Sequence, residues 1–282
     1  MFATSNFYKV RAAISSYFLH IAVILVVIVI AFPFFYMFSM ALMTERESLA
    51  IPARLLPRDF QWQNLLIAWE RIDAFRTYSN TLIVAIGGTL SMLLFSSLAG
   101  YAFAKFNFRW KNIIFAGLLG TMTIPVFINI IPWFWMVNKL DINNTLAGVV
   151  FPTLVSAFGI FLMRQFMQEV PDDLIDAARV DGASEPTIFV RIALPLMKPA
   201  LATLGAFTFL AHWNDLLWPL ITLSDRSKWT INLVVLSLQG YMGASRHMEI
   251  AGASLAVIPI LIMVVVLQRY FIQSTVMSGM KG

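Results

Sequence analysis

Six runs of about twenty apolar residues, at 18–43, 79–103, 113–137, 146–166, 200–222 and 249–271, limit what this 282-residue chain can fold into. A run of that length matches the roughly 30 Å of hydrocarbon that a helix crosses at its normal rise. In hydrocarbon every backbone N–H and C=O must find its partner within protein, which leaves helices or a closed barrel. A barrel would need segments of about ten residues with alternating polarity between turns, and no such alternation is present. The runs therefore predict six transmembrane helices in an all-α polytopic membrane protein. The composition agrees: 12% of residues are charged and 59% hydrophobic, where an ordinary soluble domain has roughly 25% charged residues. The first run follows Lys9 and Arg11 but is too long for a signal-peptide core and lacks an Ala-x-Ala end, so it is read as a retained span.

Several kinds of chemistry are excluded. With no cysteine there is no disulfide, Cys-ligated zinc, iron–sulfur cluster or thiol nucleophile. His20, His212 and His247 form no H-E-x-x-H pair, and neither a G-x-S-x-G serine nor a G-x-x-x-x-G-K-[ST] phosphate loop occurs. The chain is thus expected to carry no catalytic residue, no metal and no cofactor of its own. A net charge of +5 suits anionic lipid, and no nucleic-acid-binding fold is visible.

An even number of spans puts both ends on one side. Lys9, Arg11, Lys105, Arg109, Lys111, Arg164, Arg179, Arg191 and Lys198 lie on that side, whereas the long 44–78 segment balances its arginines with Glu45, Glu47, Asp59, Glu70 and Asp73. The bias predicts cytoplasmic termini. The expected organisation is a cytoplasmic N-terminal segment 1–17, a transmembrane domain 18–271 and a cytoplasmic tail 272–282. Trp62 and Trp69 fit either an interfacial segment or a packed helix cap.

The loop at 167–199 is the most structured hydrophilic stretch. Pro171 suits a first helical turn, and Asp172 and Asp173 place negative charge at the positive end of the helix dipole. The helix is expected to run through Arg179 and stop at Gly182, with Leu174, Ala177, Ala178 and Asp181 on one face. Ser184 then caps a second helix, with Glu185 and Pro186 in its first turn, which Pro195 should break. The pattern is a helix, a sharp turn and a helix at the membrane surface, which on its own also fits a linker covering span ends.

The string Asp176, Ala177, Ala178, Arg179, Val180, Asp181, Gly182, Ala183, followed by Ile192, Ala193, Leu194 and Pro195, resembles the EAA loop of bacterial ABC importer permeases, with Asp176 in place of the usual Glu. A second stretch, Phe207 and Ala211 to Pro219 with Trp213, Asn214, Asp215 and Trp218, is similar to the fifth span of carbohydrate permeases of the maltose type. Gly279 to Gly282 is similar to the tail of the smaller, six-span permease of that system.

The resemblance implies a type I ABC importer permease fold with a cytoplasmic helix-turn-helix coupling loop. It places the chain in a bacterial inner (plasma) membrane as half of a translocation pathway for a carbohydrate. It also implies a sister permease in a heterodimer, a pair of ATPase subunits that bind Mg-ATP and do the hydrolysis, and a periplasmic or lipid-anchored solute-binding protein. Asp176, Ala177, Ala178, Asp181, Gly182 and Ala183 would seat on the ATPase. The loop Gln239, Gly240, Tyr241, Met242, Gly243, Ala244 would reach the binding protein, its alternative being an ordinary surface loop.

Polar groups in a span are costly and point inward by default. Asn129, His212, Asn214 and Asp215, with Trp133 as an aromatic plate, are candidates for the substrate path, although interhelical hydrogen bonding explains them too. An ion-coupled secondary carrier would need intramembrane carboxylates in discontinuous helices and usually an internal repeat; Asp215 is the one candidate. A non-transporting membrane assembly subunit has the same composition and differs only in lacking the EAA spacing.

Overall fold

The computed structural model describes residues 2–241 and 246–279, and among these all regular structure is helical. The chain divides into two compact units, Met1–Arg71 with Leu238–Leu255 and Ile72–Ser237 with Ala256–Gly282.

In the first unit a helix runs from Phe2 to Ala41. The large apolar side chains of its 19–30 stretch are all more than half exposed, as on a lipid-facing or partner-facing helix, while Ser39, Met40 and Ala41 at its end are buried. A capping box follows: Thr44 Oγ1 accepts the Glu47 N–H and Glu47 Oε2 accepts the Thr44 N–H. Buried Asn64 donates to the carbonyls of Ala41 and Met43 at 3.0 and 2.9 Å, tying the Gln63–Arg71 helix to the end of the first span. Trp62, which stacks on Phe60 at 5.8 Å, and Trp69 are both more than 40% exposed.

The second unit is organised by the Ala74–Lys105 helix, which packs against Ala157–Glu169 and Lys198–Asn214. Close approach depends on small residues. A Cβ on Gly100 would sit 2.7 Å from Met163 Cβ and 2.9 Å from the Arg164 backbone nitrogen, the small-residue contact expected where helices pack without a hydrophobic driving force between them.

Three of the six expected straight spans are broken. Lys111–Thr121 and Val126–Lys139 meet at 97°, and Leu146–Thr153 and Ala157–Glu169 at 53°. The fifth, expected at 200–222, is Lys198–Asn214, a gap at Asp215, then Leu217–Thr222. Proline explains two of the breaks, because its ring clashes with the carbonyl four residues earlier. The first arm of the third span stops at Thr121, four residues before Pro125, and the fifth breaks at Asp215, four before Pro219. Pro195 does not break its helix as expected. A π-helical turn at Phe189–Ala193 widens the preceding backbone, and helix continues to Leu196. The 80° bend falls instead at Met197, between Glu185–Leu196 and Lys198–Asn214.

Candidate coupling surface and translocation cleft

The 167–199 loop folds as a helix at Asp172–Val180, a turn, and a second helix that starts at Glu185. The turn is a Schellman motif: the Gly182 N–H bonds the Arg179 carbonyl at 3.0 Å and the Ala183 N–H bonds the Ala178 carbonyl at 2.9 Å. Gly182 has φ +80 with open space around it, so backbone conformation, not room, selects glycine there.

Burial sorts the first helix into two sides. Ile175 is buried, and Ala178 and Ala183 pack against the core that Tyr101, Met163, Ile188 and Phe189 share. Leu174, Ala177, Val180, Asp181 and Gly182 face outward. The two alanines expected on one face are therefore divided: Ala177 is available to a partner, while Ala178 seats the helix on its own protein.

One ion pair holds this helix to the Lys105 end of the second span, and further pairs brace the loop itself. Lys105 Nζ, nearly buried, lies 2.6 Å from both the Val170 carbonyl and Asp172 Oδ1. Its ammonium holds the Asp172 carboxyl below the usual carboxylate range. Arg179 donates to Glu185 at 2.7 Å and to Asp176 at 2.9 Å, while Tyr101 donates to the other Glu185 oxygen at 2.8 Å. The Glu185 carboxylate raises the Arg179 guanidinium still further above its ordinary value. Asp176 is thus spent inside the loop, on Arg179. Tyr101 and the anchoring use of Lys105 escape sequence reasoning because their partners lie 84 and 67 residues away.

The three broken spans meet at a cleft of about 450 Å³. Phe127, Ile130 and Trp133 line it from the third span, Ser156 from the break in the fourth, and His212 and Asp215 from the fifth. Irregular backbone at membrane depth is tolerated where it lines such a cavity. Trp133 and Trp218 meet edge to face at 5.8 Å. The indole N–H of Trp218 is taken by the Gly148 carbonyl at 3.2 Å. Asp215 Oδ1 accepts the Trp218 backbone N–H at 3.4 Å and so caps the helix that resumes after the break. His212 packs flush on Gly88, where a Cβ would fall 2.3 Å from its Nε2.

Of the five expected path residues, Trp133, His212 and Asp215 converge here, whereas Asn129 and Asn214 are not among the lining residues. Asn129 ends a 3-10 turn, and the Asn214 amide is spent on the Leu210 carbonyl at 2.9 Å. Met92 and Gly88, contributed by the second span, were missed; the spacing of Gly87, Gly88, Ser91, Ser96, Ser97 and Gly100 was the available signal. Met242 and Gly243 of the expected binding-protein loop lie outside the described residues, as do Met280 to Gly282, while the backbone of Gln239, Gly240 and Tyr241 ends a helix from Ile231. Among the described residues no group of three His, Cys, Asp or Glu side chains is placed to hold a metal.

A family model for the binding-protein-dependent transport system inner membrane component matches residues 92–276. The arabinooligosaccharides transport system permease protein AraQ of Bacillus subtilis is 36% identical over 208 residues, covering 74% of this chain and 74% of its own length. The sn-glycerol-3-phosphate transport system permease protein UgpE of Pectobacterium atrosepticum is 31% identical over 269 residues, 93% of this chain and 96% of its own. A chain from the crystal structure of a bacterial ABC transporter involved in import of the acidic polysaccharide alginate superposes with a TM-score of 0.79 at 22% identity, over 92% of this chain and 97% of that one. That last likeness is one of fold.

Proposed function

The chain belongs to the family of binding-protein-dependent transport system inner membrane components, and on that premise we propose how it works. It is a multi-pass permease subunit of an ABC importer, not itself the ATPase. In the reading proposed here it forms half of a carbohydrate pathway with a sister permease, has both termini in the cytoplasm and is driven by a pair of Mg-ATP-binding subunits. A solute-binding protein, periplasmic or lipid-anchored, delivers the cargo to the side where the 239–244 loop lies. The C-terminal tail 272–282 is on the ATPase side.

The observation that carries the mechanism is that one helix reaches both sites. Ala74–Lys105 holds the Asp172–Val180 helix through Lys105 and the start of the second loop helix through the Tyr101–Glu185 bond, and it walls the cleft with Met92 and seats His212 on Gly88. A push on the outward face of Leu174, Ala177 and Asp181, delivered when the ATPase dimer closes, would travel along a packed rigid element to the cleft. That is a rigid-body transition between two discrete arrangements. Ala177, Gly182 and Asp181 are the seat; Ala178 and Ala183 stiffen it; Asp176 locks Arg179 in place.

The reading is tested in proteoliposomes holding the whole importer. Ala177→Trp or Gly182→Trp should reduce binding-protein-dependent transport at least about tenfold while the permease still inserts and assembles. Normal transport by both variants would remove the loop from the coupling path. Deletion of 239–244 should abolish stimulation by the binding protein without lowering basal ATP hydrolysis.

A further inference from the structure

The cleft beside Asp215 has walls that suit any sugar but a charge that suits only some. Its lining contains aromatic faces from Trp133 and Trp218 and hydroxyls from Ser156 and Thr208, and among the described residues the Asp215 carboxylate is its one formally charged side chain, with no lysine or arginine. Resting on the importer reading above, we propose that this cleft admits uncharged carbohydrate and disfavours anionic carbohydrate, with Asp215 as the residue that discriminates. The relatives leave that choice open, because one is named for neutral arabinooligosaccharides while others are named for glycerol phosphate and alginate.

A sugar offers hydroxyl donors and an apolar ring face. Trp218 presents only its apolar body to the cleft, since its N–H is already bonded to Gly148. Asp215 accepts backbone N–H groups where the helix resumes, that of Trp218 on a long 3.4 Å bond together with those of Leu216 and Leu217, and because a carboxylate has about four acceptor positions it still has room for a hydroxyl. A uronate or phosphate brings an acceptor-only group at neutral pH. It can give Asp215 no hydrogen bond, and two negative charges repel strongly where apolar walls lower the local dielectric. His212 is the one basic side chain in the described lining, and it is buried, packed flush on Gly88.

The absence of cysteine makes a local test possible. Ala211→Cys puts a single thiol at an exposed position on the cleft wall, and Leu217→Cys is a second reporter if the first perturbs assembly. In the purified importer complex, labelling of this chain by a neutral maleimide is followed by mass while arabinotriose or trigalacturonate is titrated. Arabinotriose should protect at a concentration at least about tenfold lower than trigalacturonate, and Asp215→Asn on the same background should bring the two within about threefold. Equal or better protection by trigalacturonate overturns the charge discrimination and leaves the importer reading standing. A gap that persists in Asp215→Asn overturns the role of Asp215. Protection by neither sugar, in a complex that hydrolyses ATP, overturns carbohydrate passage through this cleft and the inference with it.

Discussion

In the loop between the fourth and fifth spans, Lys105, Asp172, Arg179, Asp176 and Glu185 pair at 2.6 to 2.9 Å on side chains that, Lys105 apart, water still reaches. Around the cleft the contacts are apolar, glycine lets side chains and backbones meet without a Cβ between them, and Asp215 is the only formal charge in the lining among the described residues. The difference teaches a division of roles. Exposed ion pairs contribute little net stability, because each is screened and costs side-chain freedom; they fix direction. Close helix packing supplies the rigidity through which a directed push can travel.

The most severe test of that division is Gly100→Leu. The new side chain must enter the backbone of Met163 and Arg164, so about 2–3 kcal/mol of stability should be lost, seen as an earlier thermal transition in detergent. Gly182→Ala is next. It meets no neighbour but holds a positive φ, which costs about 1–2 kcal/mol for a residue with a Cβ. If Gly182→Ala proved as harmful to stability as Gly100→Leu, the exposed turn as well as the Ile175 face would be part of the packed core and the comparison would fail. Glu185→Gln should change the melting temperature little, since exposed pairs are worth at most about 1 kcal/mol, yet it should lower the transport supported per ATP hydrolysed. A large stability loss with normal coupling would reverse the assignment. The smallest effect is in pH. Asp172 is depressed in the folded protein by Lys105, so the pair contributes above the ordinary aspartate value near 4 and loses that contribution as pH falls through the lower folded value. Melting curves of the parent and Lys105→Met should therefore differ at neutral pH and converge below about pH 4.

These two regions were also unequally legible. The loop announced itself because its signals are local: Pro171, Asp172 and Asp173 at the start, Gly182 at the turn, and fixed spacing between them. Its anchoring to Tyr101 was illegible because the contact spans 84 residues. The cleft was half hidden for a different reason. An apolar run looks the same to hydropathy whether it is straight or broken, so the spans at 113–137, 146–166 and 200–222 read as continuous. Pro125 and Pro219 carried the correction, each marking a helix end about four residues upstream. Asn129 and Asn214 were drawn into the path because a polar residue in an apolar run looks purposeful, although Asn214 spends its amide on its own helix.

The π-helical turn at Phe189–Ala193 sets a phase. Such a turn holds one residue more than an ordinary helical turn, and one residue is worth about 100° of rotation about the helix axis. Removing one residue there would leave an ordinary helical turn whose later side chains keep nearly their present angle relative to Ser184 and Glu185, whereas removing one from the α-helical turns on either side would clock every later side chain by about that angle. The core around Ile188 and Met197 accepts only one such setting. This short stretch therefore acts as the slack turn between the loop and the fifth span: it takes up one residue beyond an ordinary turn, so loss of that residue is absorbed locally, while the same loss in the turns beside it would shift the register of everything downstream.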